Sequence, residues 1–137
     1  MAKPIHDAQR QFIERNKMAE NQLVSLSKAF AVEIINLCDS LKRRGKATVI
    51  INQLLRCGTS IGANIHEANY ASSKADFINK FQIALKESYE TDYWLEVFHD
   101  SEIITDEEFT DIFSRCSKIR KLLISSITTA KKSIRNG

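Results

Sequence analysis

A chain of 137 residues most naturally makes one domain, long enough to bury roughly two-thirds of its unfolded surface without a disulfide or metal staple. Hydrophobic residues make up 43% and charged residues 27%, near globular averages, while four glycines and one proline leave room for few turns and so for few, long helices. The net charge of +3 and pI near 8.8 are only mildly basic, so composition alone scarcely argues for a nucleic-acid partner.

The first stretch, residues 1–20, is polar and weakly patterned, with Phe12 and Ile13 as its one large apolar pair after Ile5. It offers little apolar surface to offset its ordering entropy, so it is expected to be mobile, loosely helical or docked on a neighbouring subunit. It contains no apolar signal-peptide core. No window of about 18 uninterrupted apolar residues occurs anywhere, so no membrane partner is expected.

Periodicity predicts four helices within residues 21–133, followed by a short tail over 134–137. In the first, about Leu23 to Arg44, the residues Leu23, Leu26, Phe30, Ile34, Leu37 and Leu41 step by three or four and draw one stripe. Gly45 ends it, behind Lys42, Arg43 and Arg44, which suit the negative end of the helix dipole. The second helix, about Ala47 to Ala71, carries Ile50, Leu54, Cys57, Ile61, Ile65 and Ala68. Ser73 and Asp76 then mark an N-cap.

The third helix, about Lys74 to His99, has Phe77, Phe81, Ala84, Ser88, Thr91, Leu95 and Phe98 on one face. Tyr89, Tyr93 and Trp94 widen that surface beyond what one core needs, so part of it is expected to face a partner. The fourth, about Thr105 to Lys132, opens with Thr105 and Glu108 as a capping box and continues with Phe109, Ile112, Cys116, Ile119, Leu123, Ser126 and Ala130. Short connections make neighbours antiparallel, and the fold class is all-α: an antiparallel up-down-up-down four-helix bundle.

Chemistry-bearing motifs fare poorly in this context. Gly58-Thr59-Ser60-Ile61-Gly62 matches G-x-S-x-G, yet a nucleophilic serine needs a strained strand-to-helix turn and no strand is predicted. Gly58 and Gly62 instead lie one turn apart on a helix and suit the close approach of a neighbouring backbone. Ser60, Asn64 and Glu67 form a polar stripe beside them. Glu96 and His99 have metal-ligand spacing but lack the second such pair and the further glutamates that a di-metal bundle site requires. Neither a metal, a cofactor nor a catalytic residue is therefore expected.

Cys38, Cys57 and Cys116 are odd in number, widely spaced and on or beside apolar stripes, which predicts inert buried thiols in a reducing cytoplasm. Charge separates along the bundle. Lys42, Arg43, Arg44 and Lys46 share an end with the acidic run Asp100, Glu102, Asp106, Glu107, Glu108 and Asp111. Lys131, Lys132 and Arg135 gather at the opposite end with Lys74, without such a counterweight. Both basic clusters are candidate phosphate contacts, the second the stronger.

Gln53 to Arg56, Gly58 to Ile65, Glu67-Ala68, Ser73 to Phe77, Ile83 to Glu87 and Glu90 to Leu95 together resemble the bacterial four-helix-bundle family of ribosomal-RNA intervening-sequence proteins. The likeness covers about residues 23–132, with Cys57 and His66 as departures. It implies a ring-shaped homopentamer, similar to the accessory protein of diversity-generating retroelements, a relative that binds nucleic acid and a reverse transcriptase through a basic surface. It implies no catalytic residues. The expected function is a non-enzymatic oligomeric RNA- or DNA-binding protein, with a protein-interaction scaffold as the alternative.

Overall fold

A computed structural model describes residues 4–136. Four helices follow one another: α1 (Asp7–Arg43), α2 (Thr48–Ala68), α3 (Lys74–Asp100) and α4 (Asp106–Asn136). α1 packs on α2 and α4, and α3 packs on the same two, with no close backbone approach across the diagonal among the described residues. That neighbour pattern is an antiparallel up-down-up-down bundle, the predicted fold class. No described helix is long and apolar enough to cross a membrane.

The helix ends follow local chemistry. Gly45, at φ 78°, closes α1: its N–H donates to the Lys42 carbonyl and that of Lys46 to the Leu41 carbonyl. This is a Schellman closure, which needs a left-handed residue. α3 ends the same way with Glu102 at φ 60°, and Ile103 N–H donates to the Phe98 carbonyl over 2.8 Å. The Ser73 hydroxyl accepts from Asp76 N–H over 3.1 Å to start α3. Thr105 and Glu108 exchange bonds of 2.9 and 3.1 Å before α4, so the capping box forms.

α1 begins at Asp7, well before Leu23. The reason lies on its face: Phe12, Ile13 and Asn16 continue the turn-by-turn stripe that buries Leu23 and Phe30, and together with α4 they wall a cleft at the bundle end. Polar composition conceals this because two apolar side chains and a tertiary neighbour suffice. Of the segment 1–20, residues 1–3 lie outside the described residues.

The four stripes meet in one core around Phe30, Phe81 and Phe98. At some points the neighbour of the expected residue is the buried one: Ile51 where Ile50 was expected, Ile78 for Phe77 and Ile127 for Ser126. Leu26 is half-buried while Ser27 is buried. A bundle helix faces two neighbours, so its buried arc is broader than a single seam. Ser27 is tolerated there because α2 comes very close, and its hydroxyl donates to the Val24 carbonyl over 3.3 Å.

The two glycines create that closeness. A methyl group on Gly62 would stand 3.1 Å from the Ser27 carbonyl oxygen, and one on Gly58 2.9 Å from Cγ1 of the fully buried Ile34. Gly58→Ala gains about 1 kcal/mol of helix propensity but overpacks the α1–α2 contact at about 1–3 kcal/mol. The variant is expected to be less stable by up to about 2 kcal/mol in urea unfolding. Its cost should shrink in an Ile34→Ala background, where the clashing atoms are gone; equal costs in both backgrounds would refute the contact.

Candidate nucleic-acid interface

The stretch from Leu54 to Tyr70 is helical up to its last turn, and its polar side chains are occupied locally. Ser60 donates to the Arg56 carbonyl over 2.8 Å, and Asn64 Nδ2 to the Ser60 carbonyl over 2.9 Å. Glu67 pairs across to Lys80 of α3 at 3.1 Å. These three residues therefore form a stripe of backbone-bound and ion-paired groups along the α2–α3 seam. A serine whose hydroxyl is tied to its own helix, with no strand among the described residues, does not make a nucleophile elbow.

The three thiols are buried and unpaired by disulfides. Burial pushes Cys38 and Cys57 up to about 11, and pushes Cys116 up as well. Thiolate chemistry is thus suppressed at neutral pH. Among the described residues no group of three or more metal-binding side chains comes together. His99 of the Glu96–His99 pair instead stacks on Phe109, ring centroids 4.3 Å apart, with Nε2 2.7 Å from Asp106.

The two basic clusters differ in how far they are neutralised. At the α1–α2 connection, Arg43 pairs with Asp39 at 2.8 Å and Arg44 with Glu108 at 3.0 Å, leaving Lys42 and Lys46 without an ion pair among the described residues. The acidic run beside them thus meets the basic run within the molecule. At the other end, Lys131, Lys132 and Arg135 are exposed and none is ion-paired among the described residues. Lys74 reaches them: its Nζ donates to Ser133 Oγ over 2.7 Å, which puts the start of α3 beside the last turns of α4.

Next to this end is an apolar cleft of about 460 Å³ between the N-terminal part of α1, the α2–α3 connection and α4. Phe12 and Ile13 in its wall are each 53% exposed. Glu20 also lines it, and burial raises that carboxyl above its ordinary value.

Sequence reasoning missed the charged seams. Arg56 is bound by both Glu87 and Glu90, joining α2 to α3. Arg115 pairs with Glu33 at 2.8 Å across α4 and α1, and Arg120 with Asp92 at 2.5 Å across α4 and α3. These partners lie far apart in sequence, so no spacing rule finds them. Trp94, expected as an exposed aromatic beside Tyr89 and Tyr93, is half-buried against the core with its Nε1 enclosed, because it falls nearer the α2 side of α3.

The pattern of the 23S rRNA-intervening sequence protein family matches residues 19–125, across all four helices. The chain belongs to that family. A solved structure from Bacteroides thetaiotaomicron, described as a protein with unknown function from the S23 ribosomal protein family, is similar at 50% identity and a TM-score of 0.79. The match covers 80% of this chain and 98% of that one. No curated protein matches the chain. The family carries no assigned enzymatic activity, and its match takes in Arg56, Glu87 and Glu90 as well as the glycine stretch.

The partly neutralised end carries a pH signature. Burial pushes the Glu108 carboxyl up, but the Thr105 N–H and the Arg44 guanidinium outweigh it and hold the group below its ordinary value. A carboxylate with a depressed folded-state pKa stabilises the fold above its unfolded value and loses that contribution as pH falls through the folded one. Glu108→Gln keeps the capping geometry and removes the charge. The variant is expected to melt at a lower temperature than the parent at pH 7, with the gap closing below about pH 4. A gap unchanged across that range would exclude the charge as its cause.

Proposed function

We propose that this intervening-sequence protein is a non-enzymatic, cytoplasmic, oligomeric nucleic-acid-binding protein that holds phosphates on the bundle end bearing Lys131, Lys132 and Arg135. The observation that carries this reading is the contrast between the two ends. Cations already bound to carboxylates have little left to offer a phosphate, whereas these three are exposed and free of ion pairs among the described residues. Lys42, Arg43, Arg44 and Lys46 are the secondary contacts, weakened by Asp39 and Glu108. Solvated helix-end cations that merely complement the dipole are the plain alternative, and they would show no binding.

Assembly supplies what one monomer lacks. Three cations make a weak site, but several copies in a ring act together through effective concentration. The family likeness favours a homopentamer. The apolar cleft and the half-exposed Phe12 and Ile13 support an interface on the same end. Those same surfaces favour the second reading, an oligomeric scaffold whose partner is another protein.

Light scattering coupled to size exclusion is expected to count five subunits, and Phe12→Glu to lower that number; a clean monomer removes the avidity argument. In a low-salt fluorescence titration with structured RNA and with duplex DNA, the parent is expected to bind both. Replacing Lys131 or Arg135 by Gln should weaken binding alike for all sequences and reduce the salt slope by about 0.9 per lost duplex contact. Absence of binding, or binding indifferent to salt, overturns the reading in favour of the scaffold.

A further inference from the structure

The groove between α3 and α4 combines features that neither basic end has by itself. Tyr89 and Tyr93 are one turn apart on the outer side of α3, and they remain 53% and 56% exposed. Tyr89 is held in place: the Arg120 guanidinium lies 4.8 Å from its ring centroid. Arg120 is itself mostly buried, fixed by Asp92 at 2.5 Å and by the Ser88 carbonyl at 3.3 Å. An aromatic ring so anchored loses little freedom when something stacks on it.

Cations continue from the tyrosines towards the free basic end. Lys86 precedes Tyr89 by one turn on α3 and is exposed. On α4, Lys121, Thr128, Lys131 and Arg135 share a stripe in steps of seven, three and four residues, beside the Arg120 side that meets α3. The register is set by Arg120 opposite Ser88 and by Ser133 opposite Lys74. Tyr93 and Tyr89 therefore come first, then Lys86 with Lys121, then Lys131 and Arg135 beside Lys74. None of Lys86, Lys121, Lys131 or Arg135 is ion-paired among the described residues. Beyond Tyr93 the face turns acidic at Glu96 and Asp100, which ends the stripe.

We propose that this α3–α4 face is a path for single-stranded nucleic acid, with Tyr89 and Tyr93 stacking on bases and Lys86, Lys121, Lys131 and Arg135 holding phosphates. The inference rests on the nucleic-acid reading above and narrows it to unpaired strands. A duplex hides the faces of its bases, so exposed aromatic rings contribute nothing to it, while in a single strand every base has a face to offer. In that register Tyr89 lies level with Ile119, and from there to Arg135 the path runs about 24 Å along α4 at 1.5 Å per residue. At a stacked rise of 3.4 Å that length takes on the order of seven nucleotides.

The test uses the full chain and three fluorescent probes of equal length: an oligothymidylate, an abasic strand and a duplex. The oligothymidylate is expected to bind about tenfold tighter than the abasic strand, which has the phosphates without the bases. Tyr89→Ala with Tyr93→Ala should lower its affinity to the abasic level and leave abasic and duplex binding unchanged. Tyr89→Phe with Tyr93→Phe should retain the preference, since stacking needs the ring and not the hydroxyl. Lys131→Gln with Arg135→Gln should weaken all three probes together. Equal affinity for oligothymidylate and abasic strand, or tyrosine variants without effect, overturns this inference while leaving phosphate binding intact. A chain that binds none of the three but captures poly-glutamate overturns both readings and assigns the groove to an acidic protein.

Discussion

Two helices can approach closely only where side chains are missing, and here α1 and α2 do so at Gly58 and Gly62. Ile34 and the backbone at Ser27 occupy the volume that methyl groups would fill. This contact sets the rotational phase of α1 against α2. With that phase set, Phe30, Ile34 and Leu41 point inward, Glu33 faces α4 to meet Arg115, and Cys38 lies against the Ile51 carbonyl. Two glycines inside one helix cost about 1 kcal/mol each in propensity, which the packing they permit offsets. The G-x-S-x-G spelling is a by-product of that geometry: the serine between the glycines lies on the far side of the helix, bound to its own backbone.

Around this dry contact the other seams are polar. Arg56 with Glu87 and Glu90 joins α2 to α3, Arg120 with Asp92 joins α4 to α3, and Arg115 with Glu33 joins α4 to α1. Their energetic weights differ with exposure. Arg120 and Asp92 have side chains only 11% and 16% exposed, so removing either strands a desolvated charge. The Arg56 and Arg115 side chains are half exposed, and water screens their pairs. Arg120 also supports Tyr89, so the best-shielded ion pair underlies an exposed aromatic ring.

The same pairing logic separates the ends of the bundle. Where Glu108 at the start of α4 meets Arg44 and Asp39 of α1 itself meets Arg43, charge is balanced internally, and a cap, a salt bridge and a closed turn stabilise that end. At the other end α1 and α4 run past the α2–α3 connection, leaving an open apolar cleft next to lysines that have no ion pair among the described residues. One end is thus finished within the monomer. The other presents both apolar surface and positive charge, the combination that suits assembly and anionic partners.

Much of the architecture was legible in the residues alone. Steps of three and four gave the four helices, Gly45 and the Thr105–Glu108 box gave two of their ends, and the stripes placed the three cysteines in the core, because backbone geometry and desolvation act locally and leave periodic traces. The glycine stretch likewise carried both the close-packing reading and the family likeness. What tertiary structure decided was of another kind. A stripe defines a direction only to within about one residue, so whether Ile50 or Ile51 faces inward depended on where α1 and α3 sit. The start of α1 at Asp7 depended on neighbours that wall Phe12 and Ile13. Which cations remain free depended on carboxylates distant in sequence, since Arg44 and Glu108 meet only when the chain folds. Periodicity is a property of one segment, whereas phase, pairing and neutralisation belong to the contact between segments.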